Sequence, residues 1–180
     1  MELFIHFGIY KAGSSYLQYA CVTNKSYLKE HGYLFPDSTE DDKMLAGKIS
    51  KGNAENLSDD LKYNRPKKIE KQLRRWINEA RQQKLDKILI SSEAMVHQLA
   101  RSEGIELLIQ SCKNAGISKI YAMGFFREMV DHAISTYKHR AKTGKHPDFD
   151  HWLKYHYETP KVLHNLFQLH QDYDDIIWMF

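Results

Sequence analysis

Short apolar runs alternate along this chain with longer stretches whose apolar residues recur every third or fourth position. The first kind of spacing predicts strands, the second helices that bury one face. Leu3-Phe4-Ile5-His6-Phe7 reads as a strand. A helical pattern follows, with Leu17, Ala20, Cys21, Asn24, Tyr27 and Leu28 on one face, and is expected to end near His31-Gly32. Glycine suits the left-handed closing position there. Tyr33-Leu34-Phe35-Pro36 predicts a short strand entering a loop. Residues 37–65 are polar, with Met44, Leu45 and Ile49 suggesting a helical piece, Gly52-Asn53 a turn, and Leu57 and Leu61 a further short helix. This segment reads either as a lid over a cleft or as a solvated connection.

Pro66 is placed to open a helix, and Ile69, Leu73, Trp76, Ile77 and Ala80 then recur at helical spacing. Its other face carries Lys67, Lys68, Lys71, Arg74 and Arg75, which read as a solvated face, with binding of an acidic polymer as the alternative. Lys87-Ile88-Leu89-Ile90-Ser91 is apolar enough for a central parallel strand. Glu103 to Ala115 predicts a helix, with Leu107, Leu108, Cys112 and Ala115 inward and Gly116 closing it. Lys119 to Met123 predicts another strand. The helix after it is expected to run to about Thr143 and end at Gly144. Phe149, Trp152, Leu153 and Tyr157 suggest one more helix, and Leu163, Leu166, Phe167 and His170 another after Pro160. Asp175 to Phe180 reads as a final strand. Alternation of strand and helix implies right-handed crossovers and an α/β fold with a mostly parallel sheet flanked by helices.

A chain of 180 residues with 42% apolar composition fits one domain, 1–180, with a sizeable core. The net charge of +3 is too mild to demand nucleic acid but suits an anionic ligand. Cys21 and Cys112 fall on apolar helix faces, as buried thiols rather than a disulfide. That fits a reducing compartment, and a cytoplasmic location is expected. No apolar stretch approaches membrane-spanning length, and the N-terminus shows no secretory pattern. The ten histidines include no metal-binding spacing, so no metal is assigned.

The chemistry concentrates where the first strand meets the first helix. Gly8-Ile9-Tyr10-Lys11-Ala12-Gly13-Ser14-Ser15 forms a glycine-bearing turn into a helix N-terminus, the layout of an anion cradle. Gly8 and Gly13 have the spacing of a nucleotide P-loop, but the lysine lies inside the loop at Lys11 and Ser14 takes its usual place. This arrangement suits a phosphate-like anion better than Mg-assisted phosphoryl transfer. Glu93 directly follows the Lys87–Ser91 strand, at the end of the sheet where ligands bind, and is the candidate general base. Capping of the following helix is its alternative role. His97 and His6 are lesser candidates.

HFGIYKAGSSYLQ resembles the 5′-phosphosulfate loop of sulfotransferases, in particular bacterial ones. Ala12, Ser14 and Ser15 stand where that pattern has threonines, the hydroxyls at 14 and 15 survive, and Gln18 matches. A second stretch, Phe125 to Tyr137, resembles the family's 3′-phosphate motif. Arg127 ends a strand, Ser135 lies eight residues later on the next helix, and Asp131 and Tyr137 also fit. Met129 replaces a frequent proline.

The resemblance implies a three-layer P-loop NTPase-like fold and transfer of a sulfuryl group from 3′-phosphoadenosine 5′-phosphosulfate to a hydroxyl or amine, with a carbohydrate or other small molecule as acceptor. Residues 37–65 would then form a lid or acceptor-side insertion. It implies that Lys11, Ala12, Gly13, Ser14, Ser15 and Gln18 hold the 5′ end and that Arg127 and Ser135 hold the 3′-phosphate. Lys11 would act on the leaving oxygen, and Glu93, with His97 as alternative, on the acceptor. Lys138, His139, Arg140, Lys142, Lys145 and His146 make a basic run that by default reads as a solvated helix face, with help in holding the nucleotide's phosphates or an anionic acceptor as its alternative. The family's sequence usually continues beyond a strand like Asp175–Phe180, which puts turnover in more doubt than nucleotide binding. A non-catalytic or incomplete nucleotide-binding protein and a P-loop kinase are the other readings. Self-association stays open.

Overall fold

Among the described residues, five strands form a single all-parallel sheet in the order β2-β3-β1-β4-β5. They are β1 (Glu2–Gly8), β2 (Tyr33–Leu34), β3 (Lys87–Ser91), β4 (Lys119–Phe125) and β5 (Ile176–Met179). The computed structural model describes residues 1–142, 144 and 148–180. Thr143, Lys145 and His146, assigned above to a helix end and a basic run, lie outside the described residues. The helices are α1 (Ser14–Thr23), α2 (Lys25–Glu30), α3 (Asp41–Leu45), α4 (Glu55–Lys62), α5 (Pro66–Gln82), α6 (Met95–Leu99), α7 (Ser102–Ala115), α8 (Met129–Ala141), α9 (Phe149–Tyr155) and α10 (Thr159–Leu169).

Side chains alternate across a strand, so Leu3, Ile5 and Phe7 share one face of β1. With Ile88, Ile90, Ile120, Ala122 and Ile176 they build the main core against α4 to α7 and α10. The apolar stripe of α5 is wholly buried there. Each large side chain of that stripe contributes about 1.5–3 kcal/mol, which explains why a helix this rich in exposed lysine and arginine still docks. A smaller cluster, Cys21, Val22, Phe35 and Met44, covers part of the opposite face. Both cysteines are free and buried, and burial pushes their thiols up, to about 11 for Cys21 and about 12 for Cys112.

The helix expected to run unbroken to His31 instead breaks at Asn24. Asn24 Nδ2 donates to the Ala20 carbonyl at 2.8 Å, and the Thr23 hydroxyl donates to that of Tyr19 at 2.7 Å. Short polar side chains there compete for the carbonyls that would continue the helix. Gly32 closes α2 at φ 85°, in the left-handed region. Ile49 lies outside α3, and α8 ends at Ala141.

The connection from β3 to β4 carries the chain from one side of β1 to the other. The carboxyl ends of β1, β3 and β4 therefore lie side by side, with His6 level with Ser91 and Gly8 level with Phe125. A ligand crevice forms outside strand ends at such a switch in direction. A Cβ on Gly8 would sit 2.8 Å from the Phe125 carbonyl oxygen, so glycine is what lets these two strand ends approach.

Candidate functional site

A cavity of about 700 Å³ opens at these strand ends. One wall is the β1–α1 loop. Lys11 and Gly13 take left-handed conformations, φ 67° and 97°, which curl the chain into the first turn of α1. The backbone N–H groups of Gly13, Ser14 and Ser15 make no hydrogen bond within the described residues. No side chain caps α1, so its N-terminus presents donors and partial positive charge. Tyr10, Lys11, Gly13, Ser14 and Ser15 all line the cavity. Ser14 is 1% exposed and its hydroxyl has no well-formed hydrogen bond. A buried hydroxyl left unpaired costs stability unless a ligand takes it up.

Glu93 enters from the end of β3. Among the described residues its side chain forms no hydrogen bond with the backbone of the first turn of α6, whose N-cap is Ala94. Burial raises its pKa, while the nearby Ser14 hydroxyl and the Lys11 charge act the other way. Ser14 thus lies near enough to stabilise the carboxylate without an ideal hydrogen bond.

Arg127 follows β4 on the third side. Its Nη1 reaches the Lys11 carbonyl at 3.5 Å, a long contact between residues 116 apart in sequence, and its Nη2 lies 3.8 Å from the Asp131 carboxylate. Glu128 caps α8 by accepting from the N–H groups of Val130 and Asp131, both at 2.9 Å. That cap starts the helix immediately after Arg127, and Ser135 reaches the same cavity two turns on.

The wall opposite the loop comes from residues 49–59, with Ile49, Ser50, Lys51, Glu55 and Asp59. Buried polar contacts hold it in place. Ser50 donates to Gln18 Oε1 at 2.5 Å, Gln18 Nε2 donates to Ser91 Oγ at 3.1 Å, and His6 Nδ1 meets that oxygen at 2.8 Å. Asn53 Oδ1 accepts from the Ser91 N–H at 2.7 Å. Lys51 forms an ion pair with Glu55.

The structure thus brings Lys11, Gly13, Ser14, Ser15, Glu93, Arg127 and Ser135 to one cavity. It leaves four proposed residues out of the cavity wall. Gln18 is 1% exposed and binds Ser50 and Ser91, so it braces the wall behind the loop. Ala12 packs against the main core. His97 faces a neighbouring cleft, its ring 6.2 Å from that of Tyr10. His6 is fully buried, and burial lowers its pKa to about 4. Tyr137, matched to the second motif, packs on Phe149 and Trp152 of α9.

Sequence reasoning missed Tyr10, Lys51, Glu55, Asp59 and Thr136 as lining residues, and it reached His139 and Arg140 only as members of a basic run. Burial raises the Tyr10 pKa, as does Glu93, against Arg140 and Lys51. Those interactions place the phenol among the charged groups of the cavity. With four lysine or arginine side chains against three carboxylates, the cavity suits a polyanion that leaves room for a polar second molecule. Among the described residues no cluster of histidine, cysteine and carboxylate side chains is fit to hold a metal, and no helix is long and apolar enough to cross a membrane. Compared with known proteins, the chain matches no family model, no curated protein and no solved structure.

Proposed function

We propose that this protein binds 3′-phosphoadenosine 5′-phosphosulfate and transfers its sulfuryl group to a hydroxyl or amine. The observation that carries the reading is the convergence of two distant motifs, Lys11 to Ser15 and Arg127 to Ser135, on one cavity that also holds Glu93. The buried Ser14 hydroxyl, which has no well-formed hydrogen bond, and the free N–H groups of Gly13, Ser14 and Ser15 fit the oxyanion chemistry of the donor's 5′ end. Arg127 offers a planar fork suited to the 3′-phosphate, with Ser135 adding a hydroxyl.

In the reaction the acceptor oxygen or nitrogen bonds to sulfur as the bond from sulfur to the 5′-phosphate oxygen breaks. Lys11 stabilises the negative charge that gathers on that leaving oxygen. Glu93 takes the proton from the acceptor, and its raised pKa strengthens it as a base. The products are adenosine 3′,5′-bisphosphate and the sulfated acceptor. Lys11 lies inside the loop rather than after Gly13, which favours this reading over a kinase.

The test is incubation with donor carrying a radioactive sulfate and a panel of neutral sugars, phenols and amines. Label should move to at least one class in the wild type and fail to move in Lys11→Ala and Glu93→Gln. Binding of the donor with no transfer to any class would leave a nucleotide-binding protein without this activity.

A further inference from the structure

A second cleft, of about 310 Å³, lies between α4, α6 and α10, beyond the Tyr10–His97 contact that separates it from the large cavity. Three cations from three separate elements line it: Lys62 at the end of α4, Arg101 before α7, and Lys161 in the first turn of α10. None of the three forms an ion pair among the described residues. Among the described residues, Glu158 is the one carboxylate in the wall. Like charges gathered on a concave surface with too few counter-charges repel one another, and an anion relieves that cost.

A second observation points the same way. Gln98 is 5% exposed, and its Oε1 accepts from Arg101 Nη2 at 2.6 Å. The other end of the amide, Nε2, forms no hydrogen bond with the described residues, and Gln98 lines the cleft. The start of α10 adds its own positive end, with no side chain capping it. Partial burial lowers the pKa of His97 at the rim, Glu158 raises it, and Arg101 and Lys62 lower it. These interactions place all four groups within electrostatic reach of each other.

We propose that this cleft is a second anion site, separate from the large cavity, that takes one oxyanion group of a small molecule, with Gln98 Nε2, Lys62, Arg101 and Lys161 as its donors. Its volume lies at the low end for ligand pockets, which fits a free sulfate or phosphate or the carboxylate of an acidic sugar unit rather than a nucleotide. Lys62 and Lys161 act as point charges, and Arg101 is held by its bond to Gln98.

The experiment is a titration followed by nitrogen–proton NMR on the full chain, reading the Gln98 side-chain amide and the Lys161 backbone signal. Sodium sulfate and sodium glucuronate are added in separate arms, with sodium chloride holding ionic strength constant. Wild type, Arg127→Ala and the double variant Lys62→Gln/Lys161→Gln are compared. Both lysines are exposed, so the double variant retains its fold. Saturable shifts are expected with at least one of the two anions in wild type and in Arg127→Ala, and binding about tenfold weaker in the double variant. The arm that saturates identifies the source of the oxyanion. Linear, unsaturating shifts in both arms, or a double variant that titrates like wild type, would overturn the proposal. Because Arg127→Ala removes the nucleotide's main phosphate partner and leaves this cleft untouched, the outcome is independent of whether the large cavity binds the sulfate donor.

Discussion

Acidification should destabilise this protein through His6, and the size of the effect follows from its surroundings. The ring is fully buried between β3 and β4, with Nδ1 on the Ser91 hydroxyl at 2.8 Å and Phe125 set edge-on at 4.8 Å. Nε2 has no partner, so a proton there would create a buried cation that nothing solvates. Burial accordingly lowers the pKa from 6.5 to about 4. The sign follows directly: between those values the unfolded chain binds a proton that the folded chain refuses. The stability is fully present above the unfolded value and is lost as pH falls from about 6.5 towards about 4. At about 1.4 kcal/mol per pKa unit, lowering the pH from about 7.5 to about 4.5 should cost roughly 2–3 kcal/mol through this residue alone. Urea unfolding at several pH values measures it in wild type and in His6→Asn, whose amide can keep the Ser91 contact without titrating. Carboxylates common to both proteins cancel in the difference. Equal losses in the two proteins would refute the reasoning.

Three further outcomes follow from the same geometry. Gly52→Ala would place a Cβ 2.0 Å from the Ser91 carbonyl oxygen at φ +78°, whereas at Gly47 (φ +62°) nothing lies within 4 Å. Chemical denaturation should show Gly52→Ala destabilising by about 2–4 kcal/mol and Gly47→Ala by only about 1 kcal/mol. Ser14→Ala removes a buried hydroxyl that has no well-formed hydrogen bond but lies near the Glu93 carboxylate, so its stability should stay within about 1 kcal/mol of wild type, while calorimetry finds bisphosphate binding about 5- to 10-fold weaker. In the proposed transfer reaction Glu93 acts ionised, and its raised pKa means that kcat should fall with decreasing pH sooner than for an ordinary carboxylate. Glu93→Gln should abolish that dependence along with most of the rate, as a pH–rate profile would record.

The central strands and the loop were legible because each carries a local signal: uniform apolar runs in β1, β3 and β4, a glycine pair around Lys11, and an arginine at a strand end. The far wall of the cavity had no such signal. Lys51, Glu55 and Asp59 are polar residues in a polar stretch, and long-range contacts such as Ser50–Gln18–Ser91 and Asn53–Ser91 bring them into the same cavity as Lys11. Gln18 looked like a ligand residue from its place after the loop, yet the turn of α1 buries it on the side facing Ser50 and Ser91. His97 follows Glu93 by one short helical turn, which carries it out of the large cavity and onto the rim of the next cleft. The same polar segment conceals Gly52, whose close approach to the Ser91 carbonyl has no counterpart in its sequence neighbourhood.

The central claim is that the cavity recognises a nucleotide by both its 5′ end and its 3′-phosphate. Calorimetric titration with adenosine 3′,5′-bisphosphate, beside ADP as control, tests it directly on wild type and Arg127→Ala. The account predicts saturable binding of the bisphosphate by wild type, little or none of ADP, and loss of the bisphosphate signal in the variant. Bisphosphate that fails to bind folded wild-type protein, or that binds Arg127→Ala equally well, would contradict it.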